Sequence, residues 1–194
     1  ADRSFIGGGY QNTINNVASG STIGGGYNHT ISSGGFNTIG GGNTNTATGS
    51  SDSTVGGGGG NDATGQGSTV GGGQNNSASN LDSTVGGGGF NVSSGTQSTV
   101  SGGSRNTASG VKSTVGGGVY NTASGQTSTI SGGTYNTASG DYSTVSGGEN
   151  NTASAVTFGK STIGGGSNNT ANSDFSTISG GSQNTASAYY STMG

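Results

Sequence analysis

The sequence predicts an all-β chain folded as a parallel β-solenoid of about twelve coils, with about 15 residues per coil. Three observations carry that expectation. A phrase close to Ser-Thr-(Val/Ile)-(Gly/Ser)-Gly-Gly returns thirteen times in 194 residues. A second phrase, typified by Asn106-Thr107-Ala108-Ser109-Gly110, separates many successive copies. Glycine and β-branched residues are so dense that helix is excluded. A period this short cannot enclose its own core. It is one coil of a stack, stable only because neighbouring coils bury each other.

The aliphatic anchors are Ile6, Ile23, Ile39, Val55, Val70, Val85, Val100, Val115, Ile130, Val145, Ile163, Ile178 and Met193. Their spacings are 17, 16 and 16, then six of 15, then 18, 15 and 15. One clean repeat, residues 98–112, shows how a coil is made. Ser98-Thr99-Val100-Ser101 forms a first short strand, and Gly102-Gly103 supplies a turn with positive φ. Asn106-Thr107-Ala108-Ser109 forms a second strand closed by Gly110. Strand side chains alternate faces. If Val100 points inward so does Ser98, and Thr99 and Ser101 point out. If Ala108 points inward so does Asn106, and Thr107 and Ser109 point out. The predicted core is a column containing Val55, Val70, Val85, Val100, Val115, Ile130 and Val145, opposed by a column of alanines.

The second strand opens on the same residue in nearly every coil. Asn76, Asn91, Asn106, Asn121, Asn136 and Asn151 define an inward amide ladder, each bonding its own coil and the next. His29 is the one break in that column. Outward, Thr107, Thr122, Thr137 and Thr152 run beside Ser109, Ser124, Ser139 and Ser154. These eight form the candidate contact face. The other sheet offers one threonine column, Thr54 to Thr144. Aromatics sit at coil edges: Tyr142, Phe175 and Tyr190 before the anchor phrase, and Phe90, Tyr120 and Tyr135 before the asparagine. A core one aliphatic side chain wide is thin, and self-association is the usual remedy.

Composition narrows the functional classes. Only 24% of residues are hydrophobic and 47 are glycine, which alone would suggest disorder, but disordered linkers need no fixed period. Charged residues make up 6% of the chain and the net charge is -3, so there is no basic stripe for nucleic acid. Cysteine is absent, which leaves no disulfide framework and no thiolate metal site. No apolar run is long enough to span a membrane as a helix. Gly159-Lys160-Ser161-Thr162 imitates the end of a phosphate-binding loop without the preceding glycine or a strand-to-helix context. Six aspartates at unrelated positions do not make a calcium roll. His29 has no paired carboxylate or nucleophile in the repeat frame, so neither a catalytic site nor a cofactor or metal is expected. Five Asn-x-Ser/Thr sequons, at Asn28, Asn75, Asn91, Asn150 and Asn168, are what chance gives in such a composition.

The phrases Asp141-Tyr142-Ser143-Thr144-Val145-Ser146-Gly147-Gly148 and Asn136-Thr137-Ala138-Ser139-Gly140 resemble the YadA-like head repeats of trimeric autotransporter adhesins and related phage and viral fibres. The resemblance covers essentially the whole chain. It implies a left-handed parallel β-roll, three chains around one axis, and a non-catalytic adhesive or structural role outside the cell. The expected partners are the chain itself, as homotrimer or fibre, and a host surface, matrix or glycan, with no nucleic acid and no direct membrane insertion. The family's neck, stalk and anchor have no counterpart here, so residues 1–194 are expected to be one solenoid domain from a longer repeat array. The frame of Asn106 to Gly110 also resembles, more weakly, plant β-roll ice-binding proteins, with Ala108 where that repeat carries valine. That likeness implies an alternative: water ordered on regular Thr and Ser rows.

Overall fold

The computed structural model describes residues 3–155 and 157–194. These form strands and turns with no helix, and their contacts divide the chain into two compact units, Ala1–Gln97 and Ser98–Gly194. Each unit is a parallel β-solenoid. Strands are two residues long, because each coil turns again as soon as one inward and one outward side chain have been placed. Thirteen strands carry the thirteen anchors expected from the sequence.

In the first unit one sheet runs from Phe5–Ile6 through Thr22–Ile23, Thr38–Ile39, Thr54–Val55 and Thr69–Val70 to Thr84–Val85. Its companion runs from Thr13–Ile14 to Val92–Ser93. In the second unit the valine sheet runs from Thr99–Val100 to Thr192–Met193, and the alanine sheet from Thr107–Ala108 to Thr185–Ala186. Register is kept residue for residue: Thr114 faces Thr129, and Val115 faces Ile130. A third parallel ladder of single bridges follows the turn after the glycines, from Ser104 through Val119, Thr134, Glu149 and Ser167 to Ser182.

The alternation predicted for residues 98–112 is borne out. Ser98, Val100, Asn106 and Ala108 are fully buried, Thr99 and Thr107 are half-buried, and Ser101 and Ser109 are exposed. Val55, Val70, Val85, Val115, Ile130 and Val145 are likewise buried. The opposing alanines leave room for only a narrow core. Across the long coil, Val145 still pairs with Ile163, so its extra residues are extruded at a turn. There the backbone N–H groups of Thr157 and Gly159 donate to Asp174 Oδ1, at 3.2 Å and 3.1 Å.

Glycine has two duties, and only one was expected. Gly118 has φ 87° and supplies the predicted left-handed turn. Gly125, at the end of Asn121-Thr122-Ala123-Ser124-Gly125, has no such φ. A Cβ there would overlap the Gly140 carbonyl of the next coil, so this glycine is required for space. The positive φ of that turn falls on Thr127, at 55°. The same holds at both corners of nearly every coil. Arg105, Lys112, Tyr120, Tyr135, Tyr142, Lys160, Phe175 and Tyr190 all have φ between 56° and 64°. Ladder hydrogen bonds hold the aromatic residues and Lys160 there: the Tyr120 N–H donates to the Ser104 carbonyl of the preceding coil at 3.0 Å.

Candidate contact faces

The inward asparagines form the expected ladder. Asn121 Nδ2 donates to the Gly117 carbonyl of its own coil at 3.0 Å and to the Gly133 carbonyl of the next at 2.8 Å. Its Oδ1 accepts from the backbone N–H of Asn136 at 2.9 Å. Asn136 repeats the pattern toward Asn151, and Asn106 toward Asn121. In the first unit Asn61, Asn76 and Asn91 are linked in the same way. These amides serve backbone groups of the tight turns, among them the buried Asn136 N–H, so they belong to the coil and not to a binding surface.

His29 stands in this ladder as an imitation of asparagine. Its N–H donates to Asn12 Oδ1, and its Nδ1 accepts from the Asn45 N–H, each at 3.0 Å. An accepting Nδ1 places the proton of the neutral ring on Nε2. That atom closes no hydrogen bond of its own, although a backbone contact with Gly42 opposes the downward pKa shift. Burial is the larger cause and pushes the pKa below its ordinary value.

A second inward column was placed by alternation but not given a role. Ser128 Oγ donates to the Gly125 carbonyl at 2.7 Å and Ser143 Oγ to the Gly140 carbonyl at 2.6 Å. Asn37 occupies this serine column. Its Oδ1 accepts from the N–H and Oγ of Ser53, at 2.8 Å and 2.7 Å, and its Nδ2 donates to the Ser33 carbonyl at 2.6 Å. Its sequence context, Phe36-Asn37-Thr38-Ile39, aligns it with the anchor phrase, which is the signal that separates it from the asparagine ladder.

The predicted contact face is brought together in register. Thr107, Thr122, Thr137 and Thr152 pair in series, with Ser109, Ser124 and Ser139 exposed beside them and Ser154 half-buried. In the first unit the same sheet is interrupted by Asp62, Ser77 and Val92. The valine sheet is more regular. Its outward column is threonine at every strand from Thr22 to Thr84, and again from Thr99 to Thr192. No charged side chain breaks this column, because every outward strand position in it is threonine. The valine sheet therefore carries a longer unbroken threonine column than the Thr/Ser double row singled out from the sequence.

Exposed aromatics line the corners. Tyr120 and Tyr135 stack with centroids 4.8 Å apart and planes 5° apart, and the Arg105 guanidinium lies 5.4 Å from the Tyr120 centroid. On the other corner Phe175 stacks on Tyr190 at 4.9 Å, and Lys160 Nζ lies 5.3 Å from the Phe175 centroid. The residues resembling a phosphate loop do something else. Gly159 N–H faces the Asp174 carboxylate, Lys160 N–H donates to the Asp141 carbonyl at 2.7 Å, and Ser161 is buried. Among the described residues there is no pocket, no group of three or more metal-ligating side chains, and no helix long and apolar enough to cross a membrane. Of the five sequons, Asn91 is buried in the ladder, and Asn28, Asn75, Asn150 and Asn168 are exposed at corners.

Fold and surface together define a β-solenoid repeat protein with two threonine-bearing sheets. No protein-family model matches the chain, and neither does any curated protein.

Proposed function

We propose that this chain is a non-catalytic structural or adhesive segment of an extracellular fibre or adhesin head, presenting a rigid, repetitive surface for attachment. The observation that carries this reading is the in-register display of one small polar motif on successive coils, with no concavity among the described residues. A surface of this kind offers no single deep contact. Each coil contributes a weak hydroxyl or amide interaction, and tethering many of them to one rigid backbone multiplies the affinity. The thin core supports association of the chain with itself, as a trimer or fibre, with the host surface, matrix or glycan as the other partner.

Water ordering is a second reading. It is favoured by the valine sheet, whose outward column is threonine at every strand from Thr99 to Thr192. Hydroxyl and methyl recur at the strand spacing of about 4.8 Å along such a row. Two measurements separate the readings. Binding to cells, matrix or immobilised glycan is compared across chains with increasing numbers of coils, and sedimentation reports their oligomeric state. Thermal hysteresis is then measured on the native chain and on Thr114→Lys, Thr129→Lys, Thr122→Lys and Thr137→Lys variants. Attachment that grows with coil number, without hysteresis, supports the fibre reading. Hysteresis abolished by the lysines of either sheet overturns it.

A further inference from the structure

We propose that the stacked tyrosines of adjacent coils are sites of oxidative cross-linking, joining neighbouring coils by a dityrosine bond in a chain that has no cysteine. The chain has seven tyrosines, and the described ones are not scattered evenly over the coils. Tyr120 and Tyr135 occupy the same corner of consecutive coils, 4.8 Å apart and 5° from parallel. Tyr10 and Tyr27 repeat the arrangement in the first unit at 5.5 Å and 15°. All four rings are exposed: Tyr120 by 39%, Tyr135 by 52%, Tyr10 by 62% and Tyr27 by 47%. A one-electron oxidant can reach them, and the rings can turn about χ1 and χ2 without displacing core packing.

Position along the corner isolates this pair from other tyrosines in its column; Tyr189 and Tyr190 also meet at 4.5 Å, but edge-on at 79° within one coil. The corner residues flanking Tyr120 and Tyr135 are Arg105 on one side and Asn150 on the other, neither of which couples with a phenoxyl radical. Tyr142 lies on the opposite corner between Thr127 and Lys160, so it has no tyrosine above or below it. Phe175 separates Lys160 from Tyr190 in that column and has no phenol to oxidise. Ladder hydrogen bonds hold Tyr120 and Tyr135 in register, with Tyr120 N–H on the Ser104 carbonyl and Tyr135 N–H on the Val119 carbonyl, each at 3.0 Å. The coil therefore fixes the two radicals beside one another before they form.

The chemistry balances with hydrogen peroxide and a peroxidase as the oxidant. Each phenol gives up one electron and one proton to become a neutral phenoxyl radical. The two radicals form a carbon–carbon bond between ring positions ortho to oxygen. Each ring regains aromaticity by moving its ortho hydrogen to the phenol oxygen. The protein loses two hydrogens in all, and one peroxide takes up the two electrons and two protons to leave two waters.

The test is peroxidase with hydrogen peroxide on the full chain at low protein concentration, read by dityrosine fluorescence and by mass spectrometry of digested peptides. The expected product is a Tyr120–Tyr135 linkage within one chain, lighter by two hydrogens. Its yield should drop several-fold in urea and vanish in Tyr135→Phe, a variant that should keep the native circular dichroism. Linkages centred on Tyr142, an unchanged Tyr120–Tyr135 yield in urea, or products formed only between chains would each overturn the proposal.

Discussion

Replacing Asn121 tests whether the amide ladder, and not the aliphatic column alone, holds the coils together. Alanine at this position removes two donors from carbonyls and one acceptor from the Asn136 N–H. The losses are unequal. The Gly133 carbonyl keeps the Val119 N–H at 2.9 Å, and Gly117 is half-exposed, so water can reach its carbonyl. Asn136 is fully buried, and its N–H would be left with no acceptor. An orphaned buried donor costs about 1–3 kcal/mol, and each of the two lost hydrogen bonds about 1 kcal/mol net, giving about 3–5 kcal/mol for Asn121→Ala. Asn121→Asp separates the terms, since it keeps an acceptor for Asn136 but sets a carboxylate against two carbonyl oxygens. That carboxyl should titrate above its ordinary value. The folded state then holds its proton to higher pH than the unfolded chain, so the variant loses stability as pH rises through that window. Urea unfolding followed by circular dichroism at pH 4.5 and pH 7 should show a pH-independent deficit for alanine and a deficit for aspartate that grows toward neutrality. If Asn121→Ala unfolds no more readily than the surface control Thr122→Ser, the ladder does not stabilise the coil and the reasoning fails.

Three further changes probe the other layers. Val115→Ala removes two methyl groups from a fully buried site and should cost about 2–3 kcal/mol in urea unfolding, because the flat coil can collapse only partly around the void. His29→Asn should restore the ladder and flatten the acid side of the stability profile. The native imidazole is held neutral, so its folded pKa lies below the unfolded value of 6.5 and stability falls with pH from about 6.5 downward, by about 1.4 kcal/mol per pH unit until the folded pKa is reached; a native profile that is flat there would refute the assignment. Thr127→Asn should raise the melting temperature by the equivalent of up to about 1 kcal/mol, because a β-branched residue at φ 55° is strained where asparagine is tolerated.

The sequence contained the coil and the ladder in full because both depend on residue type. Only a small aliphatic fits opposite Ala123, and only a side chain with adjacent donor and acceptor can serve the Gly117 carbonyl and the Asn136 N–H together. The corners left no such trace. The ladder bonds on Tyr120, Tyr142 and Thr127 hold the positive φ whatever side chain is present, so composition there is free to vary and no turn residue announces the turn. The glycines misled in the opposite direction. Gly118 and Gly125 look alike in sequence, yet one is needed for its φ and the other for the space against a neighbouring coil. The pattern does not choose between the two outward faces, for a similar reason. Outward threonines on a parallel sheet have no packing requirement that distinguishes a row meant for contact from one that follows β-propensity.

Near-identical coils raise the problem of register. In a stack of 15-residue repeats, shifting one strand by a whole coil recreates every valine contact and every amide bond except those at the last coil. Hydrophobic pattern gives no penalty against such a slip. The irregular coils supply one. The extra residues between Val145 and Ile163 are accommodated at a single turn, where Asp174 receives the Thr157 and Gly159 N–H groups and Asp141 receives that of Lys160. Moved by one coil, the Thr157 and Gly159 N–H groups would face Tyr189 in place of the Asp174 carboxylate. In the first unit Asn37 marks the register from within, as the one asparagine in the serine column, with its amide on the Ser33 and Gly49 carbonyls. The departures that made the repeat look imperfect are therefore the features that distinguish one stacking register from the rest, and a chain of perfect repeats would be expected to fold to several.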